Sequence, residues 1–591
     1  MESAATTRSA STPSRRELLV PPDHSGVVAL ETQAESLNEL SSGREPLTAP
    51  TLAVVVLNRL AFGPRPGEIA AFNALGADDD SRLAAWVAQQ TTPDPVAAND
   101  TEYWQRRNGL AGFPSAGLTT LDKSLNQLWL DHEVGNVQPS RPVEETRLDS
   151  LSRMVYSKWQ LREVLVDFWM NHFNVYGYEN IGQETYVHYD REVIRPHVFG
   201  NFRELLAAVA RSTSMLYYLD NYTNTAAGPN ENWARELFEL HTLGAENYVG
   251  VGQQASVPTW PDPTFATWPA GTPSAGSPVP AGYVDADVYE AARCFTGWGV
   301  ASASGLFSYT AGNHDRFQKA ILSQGFVNLP ADQVAEKDGE DVLDLLAAHP
   351  GTGRYVARKL CRRLVADDPP ESLVDSVASL FTSTWQATDQ LRQVVTAIVL
   401  SSEFKSTWGA KIKRPVEFAV SAMRAASANW QFGYTSQNPL TVEPDTASFL
   451  SRLSRTGQTL FGRVPPDGYP DREEAWVGTN TRLQCWRLGA WLIDQDIDGS
   501  TATDDFRLDI LGQVYAAFPS HLASSNQLVD FWIDRIFGRA LDTAVRAELV
   551  DFMAQGSSPS LQLNLDTSST VRSRVRSLVA LMFMTPDFFL K

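Results

Sequence analysis

The run Asn230-Glu231-Asn232-Trp233-Ala234-Arg235-Glu236-Leu237-Phe238-Glu239-Leu240-His241-Thr242-Leu243-Gly244 places one imidazole and several carboxylates within a few helical turns. At about 100° per residue, Trp233, Leu237, Phe238 and Leu240 share a face, and His241 falls inside it. Glu236 lies at the edge of that face and Glu239 points mostly away. An imidazole and a carboxylate on adjacent turns suit a divalent ion or a proton-transfer pair. The spacing matches neither the two-histidine helix of zinc metalloproteases nor the Glu-x-x-His of di-iron bundles, so structural pairing between helices stays open as the alternative.

His172, within Phe168-Trp169-Met170-Asn171-His172-Phe173, sits on the apolar stripe of another helix, where a lone histidine is more often a hydrogen-bonded core residue than a ligand. Two core-facing imidazoles on central helices nevertheless ask for a shared ion or substrate. His314-Asp315 follows Gly312-Asn313 in a turn-like context and reads equally as a loop-mounted site or a capped surface turn. His188, Asp190, Arg191, Arg195 and His197 form a polar cluster, and Asp220-Asn221 follows the next helix; these suit orienting partners or interhelical ion pairs. No Gly-x-Ser-x-Gly elbow, phosphate-binding Gly-rich loop or dinucleotide fingerprint occurs, which disfavours serine-hydrolase and nucleotide chemistry of the common kinds.

The elements that must position these residues are helices. Periodicity predicts short helices near Leu57–Ala61 and Ile69–Leu75, a long amphipathic helix over 149–176, another over 202–219, and a third after Pro229. Between Tyr248 and Tyr283 lies a Pro/Gly/Ser/Thr-rich excursion with scattered Trp, which reads as a lid or an insertion. Helix returns at 287–298, with short strands expected at Phe307–Tyr309 and Gly325–Asn328. Further helices follow at 340–400 and, after a turn-rich segment over 435–480, from 481 to 584. The fold class is therefore mainly α: a large multi-helix body with long Pro/Gly-rich loops and few short strands. Residues 1–48 read as a disordered tail, 49–430 as a main helical domain with the 248–283 insertion, and 431–591 as a C-terminal helical region packed on it.

With 591 residues, 43% of them hydrophobic and 16 of them Trp, the chain is long and apolar enough for a sizeable core. A formal charge of −20 repels phosphate backbones, which excludes nucleic acid as a partner. The three cysteines, Cys294, Cys361 and Cys485, lack the short spacings of metal knuckles or redox pairs and read as small buried hydrophobes. No apolar run is long enough to span a bilayer, so a soluble chain that is not membrane-embedded is expected. Ser14-Arg15-Arg16 resembles a twin-arginine start but has no hydrophobic stretch behind it, so a cytoplasmic location is favoured.

The run Pro229 to Gly244 closely resembles the hallmark of a bacterial family known as domain of unknown function 1800. Supporting blocks stand in the same order: Leu57-Asn58-Arg59-Leu60-Ala61-Phe62-Gly63-Pro64, Phe168 to Phe173, Gly200-Asn201-Phe202-Arg203, Tyr218 to Asn221, Ala292 to Trp298, His314-Asp315, and Lys413-Arg414-Pro415-Val416-Glu417-Phe418. The resemblance covers about residues 52 to 590. It implies a helical protein, in many members an exported one, with a sulfatase-like protein from a neighbouring gene as a partner. Where the family pattern often reads Trp-His-Asn-His-Phe, this chain has Met170 after Trp169, and a thioether is a poor ligand for a hard divalent ion.

The leading expectation is a metal-assisted hydrolase acting on a small-molecule or polymer substrate. Its metal ligands would be His172, Glu236 and His241, and its catalytic residues Glu231, Arg235, Glu236, His314 and Asp315. All would converge on one pocket under the 248–283 loop, with a divalent ion activating water and Arg235 facing anionic charge. The alternative is a non-catalytic accessory or binding protein whose polar cluster is structural.

Overall fold

The computed structural model describes residues 50–93, 100–109, 116–133, 135, 138–325, 327–436, 438–493 and 508–591. The tail expected over residues 1–48, with its twin-arginine pair, lies outside them. The protein is mainly α-helical.

Helices that frame the site are α1 (Leu52–Arg59), α2 (Arg141–Tyr156), α3 (Gln160–His172), α4 (Phe202–Arg211), α5 (Asn232–Glu236), α6 (Asp285–Cys294), α7 (Pro350–Leu364), α8 (Glu371–Ser383), α9 (Pro415–Ala425), α10 (Thr479–Ile493) and α11 (Ser569–Met584). Helices α7 and α8 pack against each other, and α9 packs on both α2 and α10. One apolar cluster runs from Leu52 to Phe589 and includes both the central helices and those beyond residue 430. Strands are few among the described residues: parallel β1 (Tyr248–Gly250) and β2 (Tyr283–Val284), antiparallel β3 (Trp298–Val300) and β4 (Phe307–Tyr309), and antiparallel β5 (Leu522–Ser524) and β6 (Gln562–Asn564).

Three sequence expectations change for identifiable reasons. The helix expected over 149–176 is two helices, broken at 157–159 by a residue far away in sequence. Asp100 accepts hydrogen bonds from the Ser157 hydroxyl (2.6 Å) and the Lys158 amide (3.0 Å), while the Gln160 amide nitrogen donates to the Ser157 carbonyl (2.7 Å). The helix expected over 202–219 likewise breaks at Ser212, which is extended and caps the next helix through its hydroxyl, 3.2 Å from the Met215 amide. No strand forms at the described residues of 325–328. The Asn328 side chain satisfies both the amide and the carbonyl of Ile321, taking the place of a strand partner.

A charged network runs through the core. Arg363 on α7 bonds Asp167 on α3 (3.1 Å), Glu417 on α9 (2.9 Å) and Asp471 (3.1 Å). Arg414 also pairs with Asp167, and Lys591 pairs with Glu417 (2.6 Å). Lys411 pairs with Asp367 and donates to the Asp471 carbonyl (2.9 Å). Burial alone would raise the carboxyl pKa values here, but the surrounding cations outweigh it: Lys591, Arg363 and Arg414 hold Glu417 well below the usual range, and Arg363, Arg414 and Lys411 do the same for Asp471.

Removing one member of a buried pair leaves the other charge uncompensated, so Asp167→Asn is expected to destabilise by ~3–5 kcal/mol in urea unfolding. The depressed carboxyls contribute stability that is present above about pH 4.5, the ordinary carboxyl range, and lost as pH falls below it. An acid titration of unfolding should show that loss, and Glu417→Gln should flatten it; an unchanged acid limb in Glu417→Gln would contradict the assignment.

Candidate active site

His172 closes α3, and His241 closes the helical run that begins with α5. The run does not continue as α-helix: after Glu236 it becomes a π-helical turn over Leu237–His241. This wider turn breaks the regular 100° rotation assumed from sequence, and π turns inside helices frequently mark functional sites. The Asn230 side chain accepts from the Asn232 amide (3.0 Å) at the start of α5, as its type predicts. Gly244 ends the segment at φ +84, and a Cβ there would lie 2.5 Å from the Tyr355 ring, so both backbone sign and space require glycine.

The two imidazoles come together as expected, with ring centroids 6.2 Å apart. The Nε2 of His172 faces the His241 carbonyl oxygen at 3.0 Å and donates to it in the neutral ring. His241 is wholly buried beside Phe173 and Trp233, and among the described residues neither of its ring nitrogens has a hydrogen-bond partner. The Nδ1 of His172 is also unpartnered. Burial, aided by the positive charge of Lys359, pushes His241 down to about 3, and burial, Lys359 and His241 push His172 well below the ordinary histidine value. Both rings are neutral over the physiological range.

Beside His172 opens a cavity of about 200 Å³ lined by Phe168, Asn171 and His172 of α3, Lys359 and Arg362 of α7, and the segment Asp467 to Arg472. Gly468 brings that segment against α3. Its φ is +71, and a Cβ would meet the Asn171 carbonyl oxygen at 2.1 Å. The Asn171 side-chain oxygen accepts from the Tyr469 amide (3.0 Å) and fixes the wall. Several charges in the wall are already engaged: Asp471 with Arg363, Asp467 with Arg463 (2.9 Å), and Arg472 with Asp368 (2.7 Å). Lys359 has no carboxylate within ion-pair distance among the described residues, and burial lowers its pKa to about 8. Arg362 donates its Nε to the Asp367 carbonyl (3.0 Å), and no carboxylate pairs with its guanidinium among the described residues.

The other expected site residues lie elsewhere. Glu236 is half-buried, its pKa raised by burial, by Glu239 and by the cavity residue Asp467. Glu231 and Arg235 pair at 3.0 Å on the surface, with Asp285 at 3.4 Å from Arg235. His314 and Asp315 belong to a separate cluster. His314 contacts the Thr296 carbonyl (2.8 Å) and Asp338 (3.1 Å), Lys319 binds Asp338 (2.6 Å), and Arg293 grips Asp315 through two hydrogen bonds. The structure thus brings His172 and His241 together, sets Glu236 near the cavity's outer segment, and engages Glu231, Arg235 and Asp315 in ion pairs and His314 in hydrogen bonds outside the cavity lining.

None of the cavity's lining residues comes from 248–283. That excursion is pinned instead on His349, whose Nε2 donates to the Pro280 carbonyl (2.9 Å) while Trp260 and Trp268 pack edge-on against its ring. Lys359, Arg362 and Tyr469 were not singled out from sequence, although a signal existed. On α7, Val356 and Leu360 are followed at helical spacing by Arg363, a charge on an apolar stripe; Tyr355, Lys359 and Arg362 form the next stripe.

The unpartnered ring nitrogens have lone pairs suited to a metal, but among the described residues no group of three or more His, Cys, Asp or Glu side chains forms that could hold an ion. The residues as placed do not make the three-ligand set that a catalytic zinc site employs.

A family model described as protein of unknown function, DUF1800, matches residues 55–590. The chain belongs to the DUF1800 family. Its family segment therefore holds every described element of the cavity, from α3 to Arg472. No curated protein and no solved structure matches the chain. Among the described residues no helix is long and apolar enough to cross a membrane.

Gly468→Ala should cost about 1–3 kcal/mol through clash with the Asn171 backbone. Urea unfolding measures this, and an unchanged midpoint would show that the wall tolerates displacement from α3.

Proposed function

We propose that the protein is a hydrolase whose active centre is the cavity between α3, α7 and the 467–472 segment. The observation that carries this reading is Lys359, an ammonium 5.3 Å from the Tyr355 ring centroid with no carboxylate partner among the described residues, in a cavity wall it shares with His172. Charge that is partly buried and unpaired is costly, and active sites are where such groups accumulate. In a hydrolytic step the Lys359 ammonium and Arg362 would stabilise negative charge developing on the substrate, and the neutral imidazole of His172 would accept a proton from water. The hydrogen bonds of His314 and the ion pair of Asp315 support a structural role for those two residues.

The metal-assisted form of this reading has His172, His241 and Glu236 as ligands of a divalent ion. The free ring nitrogens support it, and it asks Glu236 to turn inward. Plasma mass spectrometry of the purified protein distinguishes the forms. About one metal per chain, lost in folded His241→Ala, would support the metal-assisted form; no metal would leave the Lys359 form. The second reading is an accessory or binding protein, with a sulfatase-like protein as its partner, and the pairing of Asp315 with Arg293 supports a structural polar cluster.

Hydrolysis should be assayed on a panel of anionic and neutral esters. Lys359→Met and His172→Asn are each expected to lower kcat/KM by about 10²-fold or more while keeping a native unfolding midpoint. Lys359 acts as a cation, so activity should hold below about pH 8 and fall as pH rises through that value. Turnover that survives both substitutions at native rate would remove the cavity as the active centre.

A further inference from the structure

The cavity wall carries three cations and two carboxylates, but their partners divide them unequally. Asp471 is held by Arg363, Asp467 by Arg463, and Arg472 by Asp368. Lys359 and Arg362 are left, three residues apart on α7 and therefore neighbours on one helix face. Like charges at that spacing repel, and both are half-buried; Asp471 and Asp467 act on Lys359, and Asp368 and Asp471 on Arg362, only from beyond ion-pair distance, so an anion in the cavity would relieve both cations directly. We infer that the cavity binds a small molecule carrying a phosphate group, with the dianionic oxyanion held between the Lys359 ammonium and the Arg362 guanidinium.

The charge count selects the class. A dianion compensates both cations, whereas a carboxylate compensates one and leaves the other unpaired in the wall. Arg362 uses its Nε on the Asp367 carbonyl, so its terminal nitrogens offer the planar, two-pronged donor set that suits phosphate oxygens, and Lys359 adds a compact point charge. Phe168 and Pro470 give the cavity an apolar side, and about 200 Å³ leaves space for a compact group attached to the phosphate. A nucleic-acid strand does not fit this reading, because the site is a small cavity in a chain of net charge −20.

The inference rests on the same cavity as the hydrolase reading but concerns ligand charge and not turnover. Isothermal titration calorimetry of the full chain with inorganic phosphate, in low salt near pH 7.5, tests it. Saturable binding of one phosphate per chain is expected, weakened at least about tenfold in Lys359→Met and in Arg362→Gln. Acetate should bind at least about tenfold more weakly than phosphate. Arg354→Gln, also on α7, which alters an exposed ion pair with Glu371 of α8, should leave phosphate affinity unchanged. Absence of phosphate binding to the native protein, native affinity in both cavity variants, or acetate binding as tight as phosphate would each overturn the inference. The two readings fail separately. Phosphate affinity without turnover of any ester would leave this site standing and remove the hydrolase, and turnover of neutral esters without phosphate affinity would do the reverse.

Discussion

Everything around the cavity depends on how the buried guanidinium of Arg363 is neutralised. It holds carboxylates from α3, from α9 and from the 467–472 segment at once, so three parts of the chain widely separated in sequence must arrive together. Arg414, Lys411 and Lys591 extend the network, and four cations face the four carboxylates of Asp167, Glu417, Asp471 and Asp367. Replacing such a network with packed apolar residues is often no worse for stability, so its retention is better understood as specification of geometry. Asp471 shows what is specified, because it is both a partner of Arg363 and part of the cavity wall. The network fixes where the wall stands, and Gly468 lets the wall approach α3 closely.

Several blocks that carry the family resemblance serve this framework and not the chemistry. Arg59, from the first block, donates to the carbonyls of Leu364 (3.2 Å), Thr407 (3.0 Å) and Lys591 (2.8 Å), tying α1 to the end of α7 and to α11's continuation. Asn201 caps α4 at the Glu204 amide and donates to the carbonyls of Trp385 and Ala387. Arg414 and Glu417, from the last block, are members of the charged network itself. A recurring polar residue in this chain is therefore as much a fastening between distant helices as a candidate for catalysis.

This division explains what sequence reading could and could not recover. The helical class, the Pro229-to-Gly244 segment and the pairing of His172 with His241 were legible, because each follows from apolar periodicity over a short window. The break at Ser157 was not, since its cause is Asp100. Nor was the π turn before His241, because α and π turns differ by one residue in a pattern that both satisfy. Lys359 escaped for a related reason: a lysine on a helix flank looks like any solvated charge until the opposing wall, contributed by residues more than a hundred positions later, encloses it. His314 and Asp315 show the converse: their types suggest chemistry, and the partners the fold gives them, Arg293, Lys319 and Asp338, come from positions that the local sequence around the pair does not connect to it.

The hydrogen bond between Arg59 and Lys591 joins residues 532 positions apart. Closing so long a loop is slow in entropic terms, and here it cannot happen during synthesis until residue 591 has left the ribosome. Up to that moment Arg59 lacks its Lys591 acceptor, Glu417 lacks its Lys591 partner, and the apolar faces meant for α11 stay open to other chains. The contacts that fasten α1 and Glu417 thus wait on residues made more than five hundred positions after Arg59, so the order of synthesis and the order of packing run against each other.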